Sequence, residues 1–472
     1  MKKTGLLERL RAGETLTFKE QLMLIVQLSV PTILAQVSGI IMQYIDASML
    51  GRLGANASAS IGLVSSSTWL FGGMCMAAGI GFSVQVTQSI GAGQFREARN
   101  IMKQAFFVTL AFCIPLVAAG SAISGALPHW LGGEPEICTG ASRYFLIYIL
   151  FLPVVQMLQV SVGMLQASGN MRLPSMLQVI MCGLDVVFNL LLIFPTRKIG
   201  SFTLPGANLG VAGAALGTAL AQLVIVLLLL YFLLLRSPIL HLRKEEKLKF
   251  SATRIKTAAR IALPVGFERV VMCGAMITTV RIVSPLGTVA IAANSFAVTA
   301  ESLCYMPGYG VSAAATTLVG QSIGAGRKEL ALRLGWMSTL LGMAVLSTTG
   351  LLMYLAAPWM IGILSPDLEI IALGAMALRI EAFAEPLYAV SIVASGVFQG
   401  AGDTLIPSCM NFFSMWAVRL PLAAFLAPRL GLRGVWIAMC VELCIRGLLF
   451  LIRLASKRWL KTALPRVSGE EA

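Results

Sequence analysis

Histidine is nearly missing from this 472-residue chain: His129 and His241 are the only two. Without a His-Glu-x-x-His run, metalloprotease chemistry is excluded. The nine cysteines stand singly, at 75, 113, 138, 182, 273, 304, 409, 440 and 444, with no Cys-x-x-Cys pair. Eight of them fall in apolar stretches, where a thiol behaves as a small hydrophobe, so helix packing and not a disulfide framework is expected. A phosphate-cradling Gly-x-x-x-x-Gly-Lys pattern does not occur, and the one Gly-x-Ser-x-Gly match, Gly320-Gln321-Ser322-Ile323-Gly324, lies at the end of an apolar stretch and not on a strand-to-helix turn. The chain is therefore not expected to be an enzyme, an ATP-driven pump or the carrier of a cofactor. Charge is also scarce, at 12% of residues, against roughly a quarter in soluble proteins.

What fills the chain instead is apolar: 57% of residues are hydrophobic, and mean hydropathy is +0.83. Val211 to Leu235 runs 25 residues without a charge, and about 20 suffice to cross the hydrocarbon core. Similar stretches lie at about 22–50, 58–88, 101–124, 144–165, 173–195, 211–235, 257–284, 288–321, 334–357, 370–400, 405–428 and 434–455. The polar start, with Lys2, Lys3, Arg9 and Arg11, is not followed by a short apolar core and a small-residue cleavage site, so no removable signal peptide is expected. Alternate connections carry 24 Lys and Arg on the presumed inner side against 5 on the outer, which places both termini in the cytoplasm. A multi-pass protein of the bacterial inner membrane follows. The net charge of +15 then reflects topology, and nucleic acid is not an expected partner.

The chain is also written twice. Gln88-Ser89-Ile90-Gly91-Ala92-Gly93 recurs letter for letter as Gln321-Ser322-Ile323-Gly324-Ala325-Gly326, an offset of 233 residues. The same offset relates Pro31 to Pro264, Leu53-Gly54 to Leu286-Gly287, Pro153 to Pro386, and Leu165–Gly169 to Phe398–Gly402. A later pair, Leu209–Gly213 and Leu430–Gly434, is offset by 221, so the first half holds about twelve extra residues in the loop before it. The expected fold is an all-α integral membrane protein, with twelve transmembrane helices in two six-helix lobes. An even number of spans per repeat puts their pseudo-two-fold along the membrane normal. Residues 1–236 form the N-lobe, 237–256 a cytoplasmic linker with the cluster Lys244-Glu245-Glu246-Lys247, and 257–472 the C-lobe. Facing lobes would enclose a central cleft, exposed alternately by rocking. The glycine turns Gly91-Ala92-Gly93 and Gly400-Ala401-Gly402 are expected to allow tight connections.

Charges inside spans are costly and tend to be paired or functional. The second repeat balances five acids (Glu268, Glu301, Glu381, Glu385, Glu442) with five arginines (Arg269, Arg281, Arg379, Arg419, Arg446). Structural ion pairs are the expectation, Glu442 and Arg446 being four apart, with Glu268 and Glu385 as secondary candidates for ion carriers. In the first repeat the deep groups are Asp46 and Asp185, with no arginine near mid-span. Uncompensated carboxylates there take up protons or hold a cation. Asn189, one turn from Asp185, adds a neutral oxygen for sodium or for a protonated carboxyl.

These residues carry a resemblance. Pro31 to Asp46 with Ile45-Asp46-Ala47-Ser48-Met49-Leu50-Gly51-Arg52-Leu53-Gly54, the repeated glycine turns, the stretches Leu165–Pro174 and Phe398–Pro407, and Leu209-Gly210-Val211-Ala212-Gly213-Ala214-Ala215 resemble the multidrug and toxic compound extrusion family. The match runs from about residue 20 to 460 in one register. It implies a twelve-helix, two-lobe antiporter that exports bulky organic cations in exchange for protons or sodium. Asp46 matches the family's acidic residue on the first helix. Many prokaryotic members have asparagine, three residues, then aspartate on the fifth helix; here the order is reversed as Asp185 and Asn189, moving the carboxylate by about 5.4 Å along the axis. A seventh-helix glutamate of other members aligns with Met272, with Glu268 one turn earlier. An acid of the tenth helix in one branch is replaced by Tyr388, with Glu385 just before it.

The expected mechanism is alternating access by a monomer, coupled to protons through Asp46 and Asp185 in preference to sodium. Protonation would rearrange the bend that Pro31 and Gly39 permit in the first helix and empty the drug site. The 23 methionines and 22 phenylalanines suit an adaptable lining for small organic cations, with Met42, Met74, Met76, Tyr305 and Met306 as expected contacts. A lipid-linked precursor flippase would want a basic cleft, and a scaffold would have no reason to keep Asp46 and Asp185 in hydrocarbon.

Overall fold

The computed structural model describes residues 5–199, 202–243, 246 and 249–461. Within a bilayer every backbone N–H and C=O must be satisfied internally, and the apolar stretches accordingly fold as long helices. A short α1 (Leu6–Arg11) precedes α2 (Phe18–Gly51), α3 (Ala55–Gly91) and α4 (Phe95–Ile123). Thr17 and Glu20 open α2 with a capping box: the Thr17 N–H donates to Glu20 Oε2 at 2.8 Å and the Glu20 N–H to Thr17 Oγ1 at 3.3 Å. After α5 (Leu127–Trp130), α6 (Pro135–Leu150) and α7 (Leu152–Ala167) form one span bent by 48°. Next come α8 (Arg172–Leu192), β1 (Pro195–Ile199), β2 (Phe202–Ala207) and α9 (Gly210–Tyr231), which continues as a π-helical turn, Phe232–Arg236. The extra residues of the first repeat are thus an antiparallel hairpin, with Arg197 paired to Leu204 and Ile199 to Phe202.

The second half runs through α10 (Ala252–Val283), α11 (Thr288–Gly324), α12 (Lys328–Leu364), α13 (Leu368–Glu381) and α14 (Glu385–Ala401). It closes with α15 (Leu405–Phe413), a π-helical stretch Ser414–Arg419, α16 (Leu420–Leu430) and α17 (Leu432–Ala455). Ten helices among the described residues are long and apolar enough to cross a membrane, and α6 with α7 makes an eleventh. The remaining expected span, 370–400, is two helices of 14 and 17 residues, each shorter than the roughly 20 that a crossing needs. The break at Ala382–Ala384 sets Glu381 and Glu385 on either side of it. All twelve expected positions are helical.

The chain divides into two compact units. One comprises Met1–Val37, Thr87–Gln94 and Phe267–Ala472; the other comprises Ser38–Val86 and Phe95–Gly266. In the first, the opening half of α2 lies on α11: Thr32 Oγ1 donates to the Gly310 carbonyl at 2.8 Å, and a Cβ on Gly310 would stand 2.6 Å from the Ile33 nitrogen. In the second, the opening half of α10 lies on α3: Gln85 Nε2 donates to the Arg254 carbonyl at 3.0 Å, and a Cβ on Gly81 would stand 2.3 Å from the Ala258 carbonyl oxygen. The 233-residue register maps Ile33 onto Gly266 and Ala77 onto Gly310. Gly266 faces Ala77 at 3.8 Å, so the Ile33–Gly310 contact is made twice, with partners exchanged. Each repeat lends half of its first helix to the second helix of the other.

In the second unit the segment after α9 is laced to the start of α4. Arg99 Nε donates to Glu246 Oε2 at 2.8 Å and Arg99 Nη1 to the Ile239 carbonyl at 3.0 Å, while Lys103 Nζ reaches the Glu246 carbonyl at 2.6 Å. Asn100 exchanges hydrogen bonds with the Lys249 backbone at 3.0 and 3.1 Å. The Arg99 guanidinium holds the Glu246 carboxyl below its ordinary range. Lys244, Glu245 and Lys247 of the expected charge cluster lie outside the described residues, as do Lys2 and Lys3.

Candidate ion-coupling site

The turn into α8 is built by Gly169, at φ 77°, and by Asn170, whose Oδ1 accepts the Leu173 N–H at 3.2 Å. With Pro174 in the first turn, α8 then presents one buried face that includes Asp185 and Asn189, spaced i, i+4 as expected. Asp185 is 0% and Asn189 1% exposed. Asn189 Nδ2 donates to Asp46 Oδ1 at 2.9 Å and to Asp185 Oδ2 at 3.0 Å. One amide thus spends both hydrogens on two carboxylates, and this demand fixes its orientation. Asp46, half-buried on α2, is drawn in by that bridge. The described ion pairs include neither aspartate. Among the described residues, Asp185 Oδ1 and Asn189 Oδ1 are buried acceptors without a hydrogen-bond partner. Two carboxylates and two open acceptors within one amide's reach can share a proton or ligate a small cation. Leu50, Ile193, Phe194 and Ala214 pack together in an apolar cluster of the same unit.

The sequence reading missed α9's part in this site. A Cβ on Gly217 would stand 2.1 Å from Asn189 Oδ1, and one on Gly213 would stand 2.5 Å from the Leu192 carbonyl oxygen. The signal was the spacing Gly213-Ala214-Ala215-Leu216-Gly217, a small-xxx-small helix contact. Gly217→Ala is expected to rotate the Asn189 amide away, since its tip can move, and so to lower ion-driven transport with little change in melting temperature. Gly213→Ala presses on backbone and is expected to cost about 1–3 kcal/mol of stability; thermal unfolding of the two variants in detergent separates the effects.

The other expected site residues are placed as follows. Glu268 accepts from Ser408 Oγ and Asn411 Nδ2, both at 2.8 Å, a pairing with neutral donors. Glu385 and Glu381 are fully buried, and among the described residues neither carboxyl forms an ion pair. The expected pair of Glu442 with Arg446 is present, Nε to Oε1 at 2.8 Å, and the expectation of pairs for Glu301 and Glu381 is corrected, since neither is in an ion pair among those described. Glu442 has its partner one turn away on its own helix, where spacing alone brings the two together. Tyr305 stands edge-on to Tyr309 and Tyr388, ring centroids 6.2 and 5.5 Å away. Met306 shares its unit, whereas Met42, Met74 and Met76 belong to the other. Pro31 lies inside an unbroken α2. Gly39 follows the point, between Val37 and Ser38, where that helix passes from one unit to the next.

The glycine turns are as tight as expected, Gly402 taking a left-handed position at φ 84° and Gly400 lying against the Thr316 backbone. Gly93 and Gly326 take the left-handed turn positions, at φ 75° and 79°, while Gly91 and Gly324 are helical and sit against backbone. Only a residue without Cβ tolerates that approach.

The MatE family model matches residues 31–191 and 264–425, one copy in each repeat. The chain is 28% identical over 446 residues to the "Probable multidrug resistance protein NorM" of Thermotoga maritima, covering 93% of each. Among solved structures, a multidrug resistance MATE family transporter of the MOP superfamily in an outward-facing conformation superposes with a TM-score of 0.86 at 20% identity, covering 97% of this chain and 99% of that one. A MOP superfamily transporter from Pyrococcus furiosus gives 0.87 at 19% identity, covering 98% and 99%. With both repeats matched by the family model and the whole fold shared, this chain belongs to the MatE family, the multidrug and toxic compound extrusion transporters that its motifs resemble.

Proposed function

We propose that the chain is a proton-coupled antiporter that exports bulky organic cations from the bacterial cytoplasm by alternating access, acting as a monomer with both termini inside. The observation that carries this reading is the Asn189 amide bridging Asp46 and Asp185 with no described counter-charge. In the deprotonated state the pair offers negative charge for an organic cation; proton uptake from outside cancels it and releases the cargo. The names of the relatives support drugs as cargo. Sodium is the second reading, favoured by the open oxygens Asp185 Oδ1 and Asn189 Oδ1. Protons are preferred because two adjacent carboxylates with no described counter-charge favour taking one up.

The test is efflux of a fluorescent organic cation from proteoliposomes under an imposed proton gradient and, separately, a sodium gradient. Wild type is expected to respond to protons, and Asp46→Asn to lose that response. A response to sodium alone would transfer the coupling to a cation held by Asp185 and Asn189. No transport under either gradient, from folded protein, would sink drug export.

A further inference from the structure

The two identical copies of Gln-Ser-Ile-Gly-Ala-Gly meet each other, inside one unit. A Cβ on Gly91 would stand 2.0 Å from the Gln321 carbonyl oxygen, and one on Gly324 would stand 2.0 Å from the Gln88 carbonyl oxygen. The register carries 88 to 321 and 91 to 324, so the contact is isologous, each copy presenting the same residues to the other. Thr87 meets Gly320, its own counterpart in the register, with Cγ2 2.7 Å from where a Cβ would be. Gln88 Nε2 adds a hydrogen bond to the Gly400 carbonyl at 2.9 Å. Backbone touches backbone at this crossing.

The N-terminal segment is fastened to this crossing. Arg11 Nε donates to Gln321 Oε1 at 3.1 Å, and Arg327 Nη1 donates to the Leu10 carbonyl at 2.9 Å. Gly13, at φ 97°, would place a Cβ 3.1 Å from Arg327 Nη2. Arg9 ties the segment to itself and to α2 through Glu14 at 2.6 Å and Glu20 at 2.7 Å. Leu10 and Leu16 are buried, and the Leu16 carbonyl accepts from Gln21 Nε2 at 2.8 Å. These contacts involve charged donors and hold one copy of the motif at its side chain and at the residue after it.

We propose that this crossing closes one membrane face of the carrier and that residues 5–16 are a strap that locks it, so that the face opens only when Arg11 leaves Gln321 and Arg327 leaves Leu10. This rests on the reading of the chain as an alternating-access transporter, because a carrier must part its repeats at each face in turn. The strap then sets how often this face opens, independently of the ion that drives the cycle.

Hydrogen exchange of the full chain in nanodiscs, with neither substrate nor gradient, reads the opening directly. Arg11→Gln, Arg327→Gln and the double variant are expected to speed exchange across both 87–94 and 321–326 by about tenfold, the loss of a charge-assisted hydrogen bond. Arg11→Lys should restore part of the protection. Faster exchange confined to 5–16, or none, would overturn the strap, because the segment would then fray without loosening the crossing. Faster exchange spread through α12 and α17 would also count against it, as loss of fold. None of these readouts depends on drug export, so failure of the transport assay and failure of the strap are separate results.

Discussion

Asp185→Asn is expected to abolish ion-driven efflux while leaving the helices in place. The substitution keeps the volume of a side chain that is 0% exposed, and an asparagine carbonyl can still accept the Asn189 N–H now given to Asp185 Oδ2. What disappears is the charge. A cation held about 4 Å from a carboxylate gains about 4 kcal/mol at an effective dielectric of 20, which is roughly a thousandfold in affinity. The same loss removes one of the two groups between which a proton can be shared. Efflux of an organic cation under a proton gradient should fall to the level of empty liposomes, and cation binding measured at equilibrium should lose its pH dependence. Efflux that persists in Asp185→Asn would move the coupling away from this cluster, toward the buried Glu381 and Glu385 of the other unit.

The largest loss of stability is expected from Arg446→Met. Arg446 and Glu442 form a two-pronged pair, Nε to Oε1 at 2.8 Å and Nη2 to Oε2 at 2.9 Å. Arg446 also lies 5.7 Å from the centre of the Tyr388 ring, a cation–π contact. Removing the arginine strands Glu442, which is 0% exposed, and breaking a buried pair from one side costs about 3–5 kcal/mol. Glu442→Leu combined with Arg446→Met should recover most of that, since apolar residues of similar volume replace a buried pair at little net cost. Denaturant titration of the two single variants and the double variant gives the coupling. Additive losses would mean that the pair contributes nothing as a pair.

Much of this was legible in the sequence for a physical reason. A duplicated, apolar chain states its class, its spans and its internal symmetry, because lipid permits few backbone solutions. Asp46, Asp185 and Asn189 could be named because a charge in hydrocarbon stands out and i, i+4 spacing fixes a face. The bridge between them could not be read, as it depends on how α2 meets α8. Gly217 was hidden because a membrane helix is rich in small residues and only the structure says which ones touch. Glu301 and Glu381 were expected to find arginines, and a balance of formal charge says nothing about which helix faces which. The exchange of half-helices between repeats was equally hidden, since residues facing lipid and residues facing protein are alike in hydropathy.

That exchange bears on how the protein is made. Thr32 bonds to Gly310, 278 residues later in the chain. At a synthesis rate of roughly 5–20 residues per second, the opening half of α2 leaves the ribosome on the order of tens of seconds before its partner exists. During that interval Ile33 and its neighbours have only lipid, or the insertion machinery, to lie against. The opening half of α10 has no such wait, for α3 is already in the membrane when it arrives. Nascent chains stalled before α11 should therefore be held by the membrane insertase, and those stalled after it should be released.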